Sequence, residues 1–276
     1  MYLSQPFNER KMYQYVSGWK NSRKDQEKQI NEFLFRASSV DLNLIRITVL
    51  SQKCIDIYNR HENEFHIKDS RVAFWSPFVT QILAEFNPLL SALRIMQDLI
   101  FVLAAHADNP RSSVPPSINR AMNKGLDKYN ISENICEIIT DYWNKDGLQL
   151  KQYRDLDTHY FMIAQHVLLQ VIPEKKLLIF LPDDPAEQSR SNCTFDKQIE
   201  AFPYFRKAFF GVHNFAERLA KELGFKPSEL KDNILMHPVQ TQEGVDKTLL
   251  LTILSESNIL ELCQTTERKI YIYKVV

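Results

Sequence analysis

Glycine is scarce in this chain, six in 276 residues, and no two stand close enough to build a G-x-G-x-x-G turn or a Walker loop. Dinucleotide-binding and P-loop folds are therefore excluded at the outset. Cysteine is scarce too: Cys54, Cys136, Cys193 and Cys263 lie far apart with no C-x-x-C pair, which argues against both a zinc module and a disulfide framework. A reducing cytoplasm fits that usage. An excess of either charge is missing, 34 basic against 34 acidic residues, so no whole-molecule field draws the chain to nucleic acid or an anionic membrane. Any nucleic-acid contact must be local. Long apolar runs are missing as well: "LIFVLAA" at residues 99–105 is far too short to span a bilayer, and the N-terminal stretch has no apolar signal core. The expectation is a soluble, unprocessed, cytoplasmic protein that makes no membrane contact. What is present is apolar content, 44% of residues, enough to bury one large core or two modest ones.

The first 160 residues read as helical. "IRITVLSQKCIDIYNRHENEF" carries Ile45, Val49, Leu50, Cys54, Ile57 and Tyr58 on one broad face, which predicts a helix over about Asp41 to Phe65. Next come Ile82, Phe86, Leu89, Leu93, Met96, Ile100 and Leu103 in alternating steps of four and three, a heptad-like stripe. Pro88 interrupts the sequence without breaking the phase, which predicts one long kinked helix. "DNPRSSVPPS" is a loop, followed by shorter helices near 117–129 and 132–145, the second capped by Ser132,. Gly147 reads as a helix break. "FMIAQHVLLQVI" and "KLLIFLP", joined by "PEK", predict a β-hairpin over about 161–182,. Phe202, Phe205, Phe209, Val212, Ala216, Leu219 and Leu223 announce a further helix, expected to lie antiparallel to the 82–103 stripe. "TLLLTIL", "ILELCQT" and "KIYIYKV" predict a three-stranded meander.

The predicted class is mainly α: an antiparallel helical bundle over 1–226 with an inserted hairpin, and a C-terminal β-meander over 227–276 packed on it.

The segment "YRDLDTHY" carries the chemistry. On a helix Asp155 and His159 sit at i and i+4 on one face, while Arg154 lies a quarter-turn round and can swing its guanidinium alongside the imidazole,. A carboxylate can orient the histidine, and a guanidinium suits a phosphate oxyanion. Those groups are what metal-free RNA cleavage needs. The competing reading is a solvated helix turn in which Arg154 pairs with Asp157 or Thr158. Short motifs recur by chance, and Arg60 with His66, and Arg206 with His213, satisfy a similar spacing. "HENEFH" places Glu62 and His66 on one helix face but is not H-E-x-x-H, so it reads as a polar helix end rather than a metal site. "LPDDP", with Asp183 and Asp184, reads as a turn, and Phe202, Phe205 and Phe209 read as core,.

"YRDLDTHY" resembles the Arg-polar-x-x-x-His signature of the HEPN superfamily, and "FVTQILAEFNPLLSALRIMQDLI", "FLPDDPAEQS" and "AFPYFRKAFFGVHNFAERLAKELG" are similar to a HEPN-like family of unknown cellular role. The likeness spans roughly residues 75–225. HEPN domains are all-helical and occur in prokaryotic toxins and CRISPR ribonucleases. The resemblance implies a four- or five-helix bundle that dimerises so that two Arg/His pairs meet, with metal-independent RNA cleavage by Arg154 and His159 supported by Asp155. Two departures stand out. Some toxin members have Tyr two places after the His, where this chain has Phe161, and Asp155 stands where Asn is common.

The leading expectation is thus a homodimeric, metal-independent endoribonuclease acting on single-stranded RNA, with no cofactor and no metal. The alternative is a non-catalytic dimeric scaffold or binding module for a protein partner or a nucleotide.

Overall fold

The computed structural model describes residues 11–160, 163, 166–228, 234–240 and 246–252. The chain is mainly helical, with a small antiparallel sheet. Helices α1 (Lys11–Ser22) and α2 (Glu27–Arg60) lead to a short strand β1 (Arg71–Ala73), and α3 (Pro77–Ala84) and α4 (Phe86–Asp108) follow. Then come α5 (Ile118–Lys124), α6 (Glu133–Tyr142), α7 (Leu148–His159), β2 (His166–Gln170), β3 (Lys176–Leu181), β4 (Ile199–Glu200) and α8 (Ala201–Glu222). Strands β5 (Ile234–Gln240) and β6 (Asp246–Thr252) pair with each other in a separate antiparallel hairpin.

The α4 stripe lies at the centre: Leu89, Leu93, Met96 and Ile100 are fully buried. Helix α2 runs opposite to it, as two cross-links fix: Gln26 Nε2 donates to Leu103 O at 3.2 Å and Arg46 reaches Glu85 at 2.7 Å. Helix α8 supplies the facing stripe, with Phe205, Phe209, Val212 and Leu219 buried. The two stripes meet as predicted, but not antiparallel. Phe86 packs edge-on against Phe205 at 4.6 Å and against Phe202 at 6.5 Å, so the N-terminal turns of both helices meet. The antiparallel neighbour of α8 is α6: Asn134 bonds Glu222, and Tyr142 stacks flat on Phe215 at 4.1 Å. Tyr142 also donates to Gln97 Oε1 of α4 at 2.7 Å, tying the three helices together.

Several local expectations change. The helix predicted from Asp41 to Phe65 begins at Glu27 and ends at Arg60; its first turns bury Ile30, Phe33 and Ala37 against neighbours that sequence periodicity alone did not weigh. The kink predicted at Pro88 takes the form of a one-residue break at Glu85, which keeps a helical φ of −79° and ψ of −14° while the Leu89 amide donates to its carbonyl at 3.1 Å. Pro88 has no N–H to give to the carbonyl of Ala84, and its ring crowds that carbonyl, so α3 stops there,. Ser132 does not cap α6 through its side chain; its hydroxyl donates to Asp108 at 2.8 Å instead.

Gly147 does not break a helix either. It ends a π-turn, Trp143–Gly147, through which α6 passes directly into α7, and its φ of −68° and ψ of −39° are helical. A Cβ there would lie 2.9 Å from the Tyr142 ring, so the glycine serves close approach rather than a turn. One extra residue in the π-turn rotates everything after it by about 100°. That rotation selects which face of α7 is buried.

The predicted hairpin is present, β2 pairing with β3 from His166↔Phe180 to Gln170↔Lys176. Strands that the sequence reading did not assign extend it to four, in the order β1-β2-β3-β4. Of the predicted meander, "TLLLTIL" overlaps β6, whose partner is the unassigned β5; the other two strands lie outside the described residues. The span Pro77–Asp108 is apolar enough by length and composition to cross a membrane, yet 56% of its apolar window is buried inside the protein, as suits a central core helix.

Candidate active site

Helix α7 turns Leu150, Tyr153 and Leu156 into the core. Tyr153 anchors it: the phenol donates to Pro182 O at 2.7 Å, and the ring meets Tyr204 edge-on at 4.7 Å. Burial pushes the Tyr153 hydroxyl well above its ordinary range, and the nearby Asp183 and Asp184 charges add to the rise, so it remains a neutral donor. With that face fixed, Lys151, Asp155 and His159 line up one turn apart on the outer side,.

The structure brings Asp155 and His159 together as spacing predicts, and adds Lys151. All three line a depression of about 270 Å³ between α7 and the loop after β3, which contributes Pro185, Ala186 and Gln188. His159 is exposed at the last residue of α7, its ring 6.4 Å from that of Tyr160 and perpendicular to it. Lys151 Nζ lies 3.0 Å from Asp155 Oδ2.

Arg154 is not among the residues lining this depression. It sits on the flank of α7 toward α4, where Nη1 donates to Asp155 Oδ1 at 3.0 Å while Nε is buried without a hydrogen-bond partner. The pairing with Asp157 or Thr158 that a solvated turn would give is not made. Thr158 instead accepts from Asn87 at 3.1 Å, and Asp157 accepts from the Ile163 amide at 3.2 Å. Partial burial works to raise the Asp155 carboxyl, but hydrogen bonds from Lys151 and Arg154 outweigh it and hold the group below its ordinary range. Behind Arg154 lies Asp98 of α4, which bonds Arg94 and accepts from the Ile118 amide at 2.9 Å. Burial lifts Asp98 above the ordinary carboxylate range despite the Arg94 charge and the field of Arg154. Arg94, Asp98, Arg154, Asp155 and Lys151 thus form a run of alternating charge from the core to the depression.

The ends of the loop that forms the far wall are closed by one carboxylate. Asp183 accepts from Thr194 Oγ1 and the Asp196 amide, both at 2.8 Å, and from the Lys197 amide at 3.0 Å. The turn read in "LPDDP" is present, and it closes the whole segment from 183 to 197. Sequence reasoning passed over Lys151, though its four-residue step from Asp155 was legible; Asp98 and Gln188 carried no signal, because their approach depends on tertiary packing.

The two other Arg/His pairs come apart. His66 is exposed beyond the end of α2, with Arg60 the last residue of that helix, so Glu62 and His66 do not share a helix face; it is His61 that meets Glu64, at 2.9 Å. His213 is buried, its ring 4.0 Å from Phe209 and 5.6 Å from Tyr13. Among the described residues no three His, Cys, Asp or Glu side chains gather where they could hold a metal ion. No family model, curated protein or solved structure matches the chain.

Proposed function

We propose that the chain is a metal-independent endoribonuclease of HEPN type, acting as a homodimer on single-stranded RNA. The observation that carries this reading is an exposed histidine, His159, aligned with Lys151 and Asp155 along the wall of a polar depression. His159 takes the proton from a ribose 2′-OH as the O2′–P bond forms, and a protonated His159, from the same or the partner subunit, returns a proton to O5′ as the P–O5′ bond breaks. The products are a 2′,3′-cyclic phosphate and a 5′-hydroxyl. Lys151 and Arg154 supply positive charge for the oxygens of the phosphorane. Arg154 takes part only by leaving Asp155 or by reaching past it, and a second subunit brought against α7 would double the cationic groups within reach. Partly exposed Leu148, at the start of α7, offers apolar surface for that contact.

One observation favours a second reading. Arg154 is already bonded within its own chain and its Nε is buried, as suits a structural arginine in a non-catalytic dimeric scaffold or binding module.

Cleavage of single-stranded RNA in EDTA, followed for wild type, His159→Ala and Arg154→Ala with light scattering on each, separates the two. The nuclease reading expects a dimer whose cleavage is lost in both variants. Absence of cleavage by the wild type, or cleavage that survives loss of His159, selects the scaffold. His66→Ala is the matched control, being exposed and far along the chain from α7; buried His213 is unsuited to that role.

A further inference from the structure

We infer that the depression beside His159 is a base-binding subsite that holds one nucleobase, with Tyr160 as the stacking surface and the amides of Gln152 and Gln188 reading the base edge. This rests on the proposed reading of the site and names the part of the substrate it recognises.

Size sets the first limit. A volume of about 270 Å³ falls just below the range of roughly 300–1,000 Å³ typical of pockets for drug-sized ligands, so it suits a single flat ring system rather than a dinucleotide. The lining sets the second. Leu156 is buried at the base, Pro185 and Ala186 form a short apolar wall, and the Tyr160 ring, 48% exposed, stands at the rim. An aromatic side chain left open to solvent beside a slot is the usual platform for an unstacked base. The third limit is polar. Gln152 comes from α7 and Gln188 from the facing loop, and among the described residues neither side chain has a hydrogen-bond partner. Each amide offers one acceptor and two donors, a complement to the mixed donor and acceptor edge of a base. Lys151 and His159 line the same depression, so a base seated here places its own ribose and phosphate beside the proposed chemistry.

The backbone on both sides of Gln188 is held, because the Ala186 amide donates to Asp184 at 2.8 Å and the Ser189 amide to Glu187 at 2.7 Å, while Asp183 closes the ends of the segment. Both amides are therefore presented by fixed elements, one helical and one a closed loop, as edge recognition requires.

The test uses the full chain and the four nucleoside 3′-monophosphates, which cannot be cleaved, with ribose 5-phosphate and inorganic phosphate as baseless controls, followed by NMR or calorimetry. At least one nucleotide should bind about tenfold or more tightly than ribose 5-phosphate. Tyr160→Ala should remove that advantage while leaving phosphate binding and the thermal midpoint unchanged, a loss in keeping with removal of one stacking contact. Gln188→Glu should change which base is preferred. Nucleotides that bind no better than ribose 5-phosphate, or an advantage that survives Tyr160→Ala, overturn the subsite. The outcome is independent of catalysis: His159→Gln should retain base preference while losing cleavage. Base binding without any RNA cleavage would sink the nuclease reading alone, and cleavage indifferent to base and to Tyr160 would sink the subsite alone.

Discussion

The Arg154 guanidinium rests on the carboxylate of its own sequence neighbour, Asp155, at 3.0 Å, and the other oxygen of that carboxylate takes Lys151 at the same distance. One acid therefore occupies two cations that a phosphate would otherwise use. Whether they can be released decides how the site meets RNA.

Asp155→Asn tests this directly. The amide oxygen keeps the geometry of one hydrogen bond while the negative charge goes, freeing both cations for backbone phosphates. Affinity for a single-stranded RNA oligomer should rise several-fold at low salt, and the slope of log K against log salt should steepen by about 0.7 for each phosphate newly contacted. Fluorescence anisotropy at four or five salt concentrations reads both. An unchanged slope would mean that neither Arg154 nor Lys151 faces RNA.

Asp157 makes a prediction about pH. Burial raises its carboxyl above the ordinary range, although the Ile163 amide and Asn87 pull the other way. A carboxyl with a raised folded value holds its proton more tightly in the folded chain than in the unfolded one. Its contribution to stability is thus greatest below the ordinary carboxylate value, about 4, and declines as pH rises through the raised value. Asp157→Asn removes that dependence, so the variant should gain stability relative to wild type on going from about pH 4 to pH 7. Urea midpoints across that interval measure it. A variant that loses ground with rising pH would show an Asp157 that is stabilised in its charged form.

Gly18 reverses an ordinary helix rule. Replacing an interior helical glycine by alanine usually stabilises by about 0.5–1 kcal/mol. Here a Cβ would collide with the Lys226 carbonyl, where the chain after α8 crosses α1 with Phe225 stacked on Trp19 at 4.9 Å and the Ser228 amide bonded to Gln14 O at 3.0 Å. Gly18→Ala should therefore lower the thermal midpoint, by an amount equivalent to about 1–3 kcal/mol of overpacking. A higher midpoint would show that this crossing does not exist in solution.

The sequence by itself determined the elements whose pattern is local. The stripe from Ile82 to Leu103, the stripe from Phe202 to Leu223 and the hairpin around Pro173 were all legible, because apolar periodicity records which face of an element is buried. The shared face of Asp155 and His159 followed from the same arithmetic. Only the tertiary structure decided the rest. The sense in which α4 and α8 meet depends on where Phe86 finds Phe205, which no periodicity encodes. The π-turn at Trp143–Gly147 turns α7 after the fact, and that turn, with the partly buried Asp98 behind it, places Arg154 on the flank rather than in the depression. The far wall with Gln188 comes from a loop closed by Asp183 through partners 11 to 14 residues on. A sequence pattern fixes how a side chain faces its own helix; what it then meets is set by how helices, loops and buried charges pack against one another.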